Sequence, residues 1–371
     1  MKILYVTTIS NTVNAFLIPH IRMLIEQGHR VDVAFKIERE VRPEIYEMGC
    51  KVYDLAFQRS PFNKDNYRAY KKLKQIISNE KYDLVHTHTP VASACVRYAC
   101  RKIKSTKVFY TAHGFHFYKG APLKNWLIYY PIEKWLARYT EVLLLINNED
   151  YLRAKKSFKS LKTDKIVYIP GVGLDTRKFS DVIVDKEEKR KELDIPDKSF
   201  VLLSVGELNK NKNHETVLRA ITKLDNPNLY YVICGQGILE EYLRNLSTKL
   251  GIENKVKLLG TRNDIVEICK ASDIFVFPSF REGLSVALME AMASGLPVIC
   301  SDIRGNSDLI ESDKGGYLVK PDDVYGFSKY ISVLYSNYIN NINNSFGEFN
   351  KKRVMEYDIV NVKSRLIKIY K

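Results

Sequence analysis

The amino-acid sequence predicts an α/β fold built from two doubly wound parallel β-sheets, and three features carry that prediction. Short apolar runs of strand type alternate from end to end with stretches of helical periodicity, the pattern of a parallel sheet covered by helices on both faces. The alternation restarts near residue 200. A chain of 371 residues is also too long for one ordinary core, so two domains of similar size are expected.

Taken in order, the strand-type runs of the first half fall at 2–7, 30–35, 51–54, 84–87, 107–111, 142–146 and 166–169, with helical stretches between them such as 15–27 ahead of Gly28. The run Ile169-Pro170-Gly171-Val172-Gly173 is rich in turn residues and leads toward a charged helix at 186–193. This divides the chain into a first domain over 1–170, a linker over 171–198 that would serve as a hinge, and a second domain over 199–355. In the second half the strand-type runs fall at 200–205, 229–234, 257–259, 274–278, 297–300 and 316–319. The Asn-rich segment 337–350 reads as a polar surface connection. A final amphipathic helix within 356–371 is expected to pack back toward the first domain.

Composition excludes several classes. A hydrophobic content of 45% is that of a globular chain. No stretch approaches the roughly 18 apolar residues of a membrane span, and the opening MKILYVTT reads as a strand with no signal-peptide core. The six cysteines sit mostly in apolar runs without a C-x-x-C pair, as buried reduced thiols of a cytoplasmic protein do. The net charge of +15 is uneven: residues 1–180 hold 31 basic and 16 acidic residues, whereas 181–371 hold 27 of each. The excess points to an anionic partner of the first half, whether nucleic acid, an anionic membrane face or a phosphorylated substrate, or to a solubility bias.

The densest signal runs from Phe277 through Val298, Phe-Pro-Ser-Phe-Arg-Glu-Gly-Leu-Ser followed by an apolar helix and Ala-Ser-Gly-Leu-Pro-Val. A buried strand ends at Pro278, a loop follows, and a helix is expected over 284–293. The loop lies at the carboxyl end of a parallel strand, where doubly wound sheets bind ligands. The unpaired amides of Gly283, Leu284 and Ser285 suit a diphosphate. Glu282 lies at the helix entrance and Glu290 about two turns on, so both can face one crevice. Glu290 is set among apolar neighbours, where a carboxylate needs a partner.

Glu282 and Glu290, separated by seven residues within this frame of Gly and Pro, resemble the E-x7-E motif of retaining GT-B glycosyltransferases, and more narrowly those of family 4, which build bacterial exopolysaccharides, capsules and O-antigens. The resemblance extends over nearly the whole chain. It implies two Rossmann-like domains facing each other across a cleft, with a nucleotide-sugar site in the second. It further implies that Glu282 hydrogen-bonds the donor sugar, Glu290 binds the ribose hydroxyls, and the amides of Gly283 to Ser285 hold the diphosphate.

Other positions follow from the same resemblance. Ser204-Val205-Gly206-Glu207-Leu208 through His214 resembles the family's Gly-Arg-Leu…Lys-Asn loop. Lys212 matches the lysine that neutralises the diphosphate, with Lys210 as a further candidate. Glu207 stands where the family has Arg, so its charge must be made up elsewhere. Gly235 and Gly237 match a turn lining the nucleotide crevice, although a tight strand–helix turn explains a Gly-x-Gly equally well. Thr261 and Arg262 match a turn whose backbone meets the base, with Asp264 beside them as an expected N-cap.

In the first half, His113 begins a loop after a strand and resembles the family's active-site histidine beside the donor sugar. His116 is a candidate acceptor contact. So are Asn11 and Asn14, in the polar loop expected after the first strand, which has no glycine. His86 and His88 lack an evident third metal ligand, and the chain has no Asp-x-Asp pair. Both agree with the metal-independent, cofactor-free chemistry that the resemblance implies, with UDP-sugar as co-substrate. The basic-aromatic stretches 67–74 and 124–135 suit an anionic bilayer interface, and core packing of Trp126 and Trp135 would explain the second as well.

The expected activity is therefore transfer of a hexose or N-acetylhexosamine from UDP, with retention, to a lipid-linked or oligosaccharide acceptor by a cytoplasmic protein peripheral to the inner membrane face. Two alternatives stay open. A UDP-N-acetylglucosamine 2-epimerase shares the fold. A basic nucleic-acid-binding protein would explain the charge, although no recognition element is visible.

Overall fold

The computed structural model describes residues 1–161, 163–342 and 345–371, so residues 343–344 of the expected Asn-rich connection lie outside the described residues. Contacts group the chain into two compact units, Met1–Gly173 with Ile359–Lys371, and Leu174–Asp358.

In the first unit, strands β1 (Lys2–Ile9), β2 (Arg30–Lys36), β3 (Val52–Asp54), β4 (Leu84–Thr87), β5 (Lys107–Ala112), β6 (Val142–Leu145) and β7 (Ile166–Tyr168) form one parallel sheet ordered β3-β2-β1-β4-β5-β6-β7. The order reverses between β1 and β4, whose pairing runs from Ile3 opposite Leu84 to Val6 opposite Thr87. β1 is buried from Ile3 through Ile9, which is why it reads as a continuous apolar run rather than an alternation.

The polar loop expected after the first strand does not exist. β1 continues to Ile9 and a helical path starts at Ser10, passing through a more widely wound stretch at Val13–Leu17 into the helix Ile18–Glu26. Buried Ser10 secures that transition: its hydroxyl accepts from the amides of Glu38 (3.2 Å) and Arg39 (3.1 Å) and donates to the Arg39 carbonyl (2.8 Å). The final helix, Ile359–Tyr370, belongs to this unit and buries Val362, Leu366 and Tyr370.

In the second unit, β8 (Phe200–Val205), β9 (Leu229–Cys234), β10 (Val256–Leu258), β11 (Ile274–Phe277), β12 (Val298–Ser301) and β13 (Gly316–Val319) form a parallel sheet ordered β10-β9-β8-β11-β12-β13. Here the reversal lies between β8 and β11.

The region 171–198, expected as a linker, falls within the second unit from Leu174 onward and, though largely exposed, anchors to its core at a few residues. Leu174, Phe179, Leu193 and Ile195 are buried in the cluster that backs β8 and β11. Arg190, 2% exposed, donates to the carboxylate of Asp273 (2.7 Å) and to the carbonyls of Ala271, Asp197 and Ser199. The charged helix thus contributes a buried guanidinium with a partner at each of its three nitrogens. The chain passes from one unit to the other at Gly173–Leu174 and returns at Asp358–Ile359. Among the described residues no helix is long and apolar enough to cross a membrane. All six cysteines are free and five are buried.

Candidate functional site

The reversal between β8 and β11 opens the crevice that doubly wound sheets use for ligands, and two loops meet there. The Asn-rich run 209–213 after β8 is a set of clasps. Asn213, in the left-handed region (φ 54°, ψ 35°) that Asn tolerates, donates its side-chain amide to the carbonyls of Pro278 (3.1 Å) and Pro321 (2.7 Å). Asn211 donates to the Arg281 carbonyl (2.9 Å) and accepts at its own carbonyl from the Phe280 amide (2.8 Å). Asn209 accepts from the Lys212 amide (3.1 Å) through its side chain. Sequence reasoning singled out Lys212 here and missed the asparagines, although their alternation at 209, 211 and 213 was a signal.

Lys212 is thereby fixed over the end of β8. A Cβ on Gly206 would lie 2.9 Å from Lys212 Cε, so the lysine stem packs directly against the strand end at this glycine. Its ammonium lies 4.5 Å from the centre of the Phe277 ring and 2.8 Å from Glu282 Oε1. Both side chains of the pair are largely buried, at 18% and 14% exposure. Glu282 is further placed through its backbone, since the buried Arg304 donates from Nε to the Glu282 carbonyl (3.2 Å). Arg304 also went unnoticed in the sequence; an Arg-Gly pair just after a strand is its only mark there.

The helix beyond this loop spans Val286–Ala293, two residues shorter at its start than expected, because Ser285 is the N-cap and accepts from the Leu288 amide (3.3 Å). The amides of Gly283, Leu284 and Ser285 donate to no protein acceptor among the described residues. One helical turn and a half further on, half-buried Glu290 has no side-chain partner among the described residues. Burial pushes its carboxyl up to about 7, and Lys178 opposes the shift.

Gly235 and Gly237 serve packing. A Cβ on Gly235 would fall 1.9 Å from the Gly206 carbonyl oxygen, and one on Gly237 would fall 2.4 Å from that of Leu208. The two loops lie main chain against main chain, joined by Leu208 N to Gln236 O (3.0 Å) and Leu239 N to Leu208 O (3.0 Å). Gly235 also donates to the Gly260 carbonyl (2.8 Å), which brings the exposed Thr261 beside them. Asp264 stands at the N-cap position but caps nothing: its carboxylate takes Arg262 on both oxygens (2.8 and 2.6 Å) and Lys189 (2.5 Å). Arg262 bonds Glu192 too (2.9 Å). Charge pairing outcompetes the cap there, and the Arg262 side chain is spent on that network. Glu207 and Lys210 are exposed. Lys210 lines a cavity of about 480 Å³ with His214, Tyr242 and Phe280, whose lining does not include Lys212, Glu282 or Glu290.

In the first unit His113 follows β5. Its Nε2 lies 3.1 Å from His88 Nδ1. His88 stacks on His86 (4.4 Å between ring centres), and His86 bonds the Tyr370 hydroxyl and that of Thr111 (2.8 Å). Burial lowers all three imidazoles below their ordinary range, His113 to about 4. They are therefore neutral near pH 7. His116 stacks on Tyr129 at 4.5 Å. Asn14 is fully used in holding the segment after β2, donating to the Glu40 carbonyl (2.8 Å) and accepting from the Arg42 amide (3.2 Å). Asn11 keeps a buried side-chain oxygen with no partner among the described residues. Trp126 packs with Phe117 and Tyr130, whereas Trp135 is 39% exposed.

Comparisons with known proteins place the family and the fold. A family model for group 1 glycosyl transferases matches residues 185–353, and a model for 4-like glycosyl transferases matches residues 2–148. EpsD of Bacillus subtilis (strain 168), named as a glycosyltransferase, is 38% identical over 340 residues, covering 90% of this chain and 87% of that protein. The UDP-Gal:α-D-GlcNAc-diphosphoundecaprenol α-1,3-galactosyltransferase of Escherichia coli is 35% identical over 290 residues, 74% of each chain. The crystal structure of Anabaena Alr3699/HepE in complex with UDP shares the fold, with a TM-score of 0.78 at 18% identity over 100% of this chain and 99% of that one. With the two parallel sheets and the switch-point crevice already described, these matches make the chain a member of the glycosyltransferases, 4-like in its first unit and group 1 in its second, with the GT-B fold.

Proposed function

We propose that the second unit binds a UDP-sugar and that the enzyme transfers its hexose or N-acetylhexosamine, with retention, to a hydroxyl of a polyprenyl-diphosphate-linked glycan. The observation that carries this reading is the Lys212–Glu282 pair (2.8 Å) at the β8/β11 reversal, next to three unclaimed amides and a partnerless half-buried Glu290. A diphosphate between the amides of Gly283–Ser285 and Lys212 would satisfy both, and ribose hydroxyls donating to Glu290 would supply its missing partner. UDP is the nucleotide in the HepE complex, and the E. coli relative is named for a UDP-sugar donor and a diphosphoundecaprenol acceptor.

When diphosphate enters, Lys212 exchanges Glu282 for phosphate oxygens and frees that carboxylate to accept from sugar hydroxyls. The bond from the anomeric carbon to the β-phosphate oxygen then breaks while the acceptor oxygen bonds the same face of that carbon. The acceptor's proton goes to the departing phosphate. Positive potential for the leaving charge comes from Lys212, the amides and the buried guanidinium of Arg304, which make up for the exposed Glu207. His113, neutral near pH 7, is assigned to a sugar hydroxyl. No step needs a metal. The basic first half is assigned to the inner membrane face, where such acceptors reside.

Calorimetric titration of the protein with UDP, and of Lys212→Ala and Glu290→Gln variants, tests this reading. Wild type should bind with EDTA present, and both variants should bind at least tenfold more weakly. Equal affinity in all three proteins would sink the donor site.

A further inference from the structure

His88 has no part in the chemistry assigned so far, yet its place is closely specified. It is 2% exposed and follows β4 where the order of the first sheet reverses. Its amide continues the ladder to the Val6 carbonyl (2.9 Å). Its ring stacks on that of His86 and lies 5.3 Å, centre to centre, from that of Tyr5. The chain then turns away through Thr89, at φ 45° and ψ 137°, a conformation costly for a β-branched residue. Thr8 holds that turn: its amide donates to the Thr89 hydroxyl (3.0 Å), and the two hydroxyls lie 2.8 Å apart. Backbone strain held by its surroundings is characteristic of functional sites.

The placement brings His88 Nδ1 to 3.1 Å from His113 Nε2. The other histidines of this cluster are committed elsewhere. His86 spends both nitrogens on Tyr370 and Thr111, and His20 donates from Nε2 to the Val172 carbonyl (2.7 Å). Burial keeps His88 and His113 neutral near pH 7, so one nitrogen of the close pair carries a proton and the other accepts it. His88 Nε2 is buried with no partner among the described residues. A buried N–H without an acceptor is costlier than a lone pair without a donor. His88 therefore carries its proton on Nδ1 and donates it to His113 Nε2. The proton of His113 is left on Nδ1.

We propose that His88 is the positioning residue of His113, fixing it as the Nδ1–H tautomer so that it presents a hydrogen-bond donor to an oxygen of the donor sugar. The proposal rests on the glycosyltransferase reading above and deepens it. A sugar oxygen at that point is then recognised through its lone pair.

With seven histidines in the chain, the tautomers are directly readable. In intact protein labelled with nitrogen-15 at histidine, long-range proton–nitrogen correlation near pH 7.5 separates protonated from bare ring nitrogens. His113→Gln and His88→Phe identify the signals. Both rings are expected to be protonated at Nδ1 and bare at Nε2. His88→Phe keeps a ring against His86 and removes the donor, and the Nε2–H form of His113 should then appear. His88→Asn keeps an amide N–H where Nδ1–H stood and should retain the Nδ1–H form. His88→Gln, whose amide reaches past that point, replaces the Phe variant if that one folds poorly. UDP affinity should be equal in all these proteins. Turnover of the best donor among UDP-glucose, UDP-galactose and UDP-N-acetylglucosamine should fall about tenfold in His88→Phe and recover to within about threefold of wild type in His88→Asn. A wild-type His113 protonated at Nε2, or a His113 tautomer unmoved by His88→Phe, overturns the proposal. So does an equal loss of turnover in the Phe and Asn variants while the Asn variant keeps the tautomer, since His88 would then serve structure alone. Tautomers as expected in a protein that does not bind UDP would sink the donor reading and leave the pairing of His88 with His113 standing.

Discussion

The ammonium of Lys212 rests 2.8 Å from the carboxylate of Glu282, and both side chains are largely buried. Each therefore neutralises the other. Removing either alone strands a charge in a partly desolvated place. Lys212→Ala is expected to cost about 2 kcal/mol of stability, and the double variant with Glu282→Ala is expected to recover part of that loss. Turnover should fall about 10²-fold or more in every one of these proteins. Urea denaturation with a double-mutant cycle, alongside initial rates, measures both quantities. Additive stability losses would show that the pair is not coupled.

With Glu290 as the proposed ribose acceptor, donor binding is expected to depend on pH. Its carboxyl is raised to about 7 by burial, so it is largely protonated at pH 6, and the carboxylate is the stronger acceptor for ribose hydroxyls. Binding is expected to draw the proton off. UDP affinity should therefore rise from pH 5.5 to 8, with a fraction of a proton released near pH 6.5. Titration calorimetry in two buffers of different ionisation enthalpy detects that release. Glu290→Gln should bind weakly and without pH dependence. A steady affinity for wild type across this range would remove Glu290 from the nucleotide site.

Asn213 does two jobs at once, holding a left-handed backbone and clasping the carbonyls of Pro278 and Pro321. Asn213→Gly keeps the first and loses the second, whereas Asn213→Ala loses both. Stability is expected to fall by about 1–2 kcal/mol for Gly and about 1 kcal/mol more for Ala. Both should raise KM for the donor, because Lys212 is held by the same loop. Thermal denaturation and donor kinetics distinguish this from a merely local effect.

The histidines of the first unit set an acid limit. Burial lowers His20 and His113 from 6.5 to about 4, and His86 and His88 well below their ordinary value. Folded pKa values below the unfolded ones mean that the unfolded chain binds more protons between about pH 4 and 6.5. Stability is then fully present above pH 6.5 and drains away as pH falls, by about 3 kcal/mol for each of His20 and His113 once both states are protonated. Glu290, shifted the opposite way by a similar amount, offsets about as much as one of these histidines contributes. Tyr370→Phe should add to the loss at every pH, by about 1–3 kcal/mol, since its hydroxyl is the partner of both Tyr5 (2.6 Å) and His86. Denaturant unfolding from pH 4 to 7.5 follows both effects.

Much of the architecture was legible before any coordinates. A fully buried parallel strand must be apolar along its length, so β1, β8 and β11 stood out as runs, and glycines after β8 and β9 marked where main chains approach closely. Glu290 stood out because a carboxylate amid apolar helix residues is chemically out of place, and Glu282 through the resemblance of the pair to the E-x7-E motif. What local sequence could not decide was pairing at a distance. Nothing near Arg190 in the sequence marks it as buried; its partner Asp273 lies far along the chain. Asp264 looked like a cap until Arg262 and Lys189 claimed it. The loop expected at 8–14 became strand and helix because Ser10 is held by the segment at 38–39. The sequence by itself determined which segments must be buried and in what periodicity, since hydrophobicity is a property of each residue. Only the tertiary structure decided which charges meet, because the energy of an ion pair or a buried hydrogen bond depends on a partner that no local window contains.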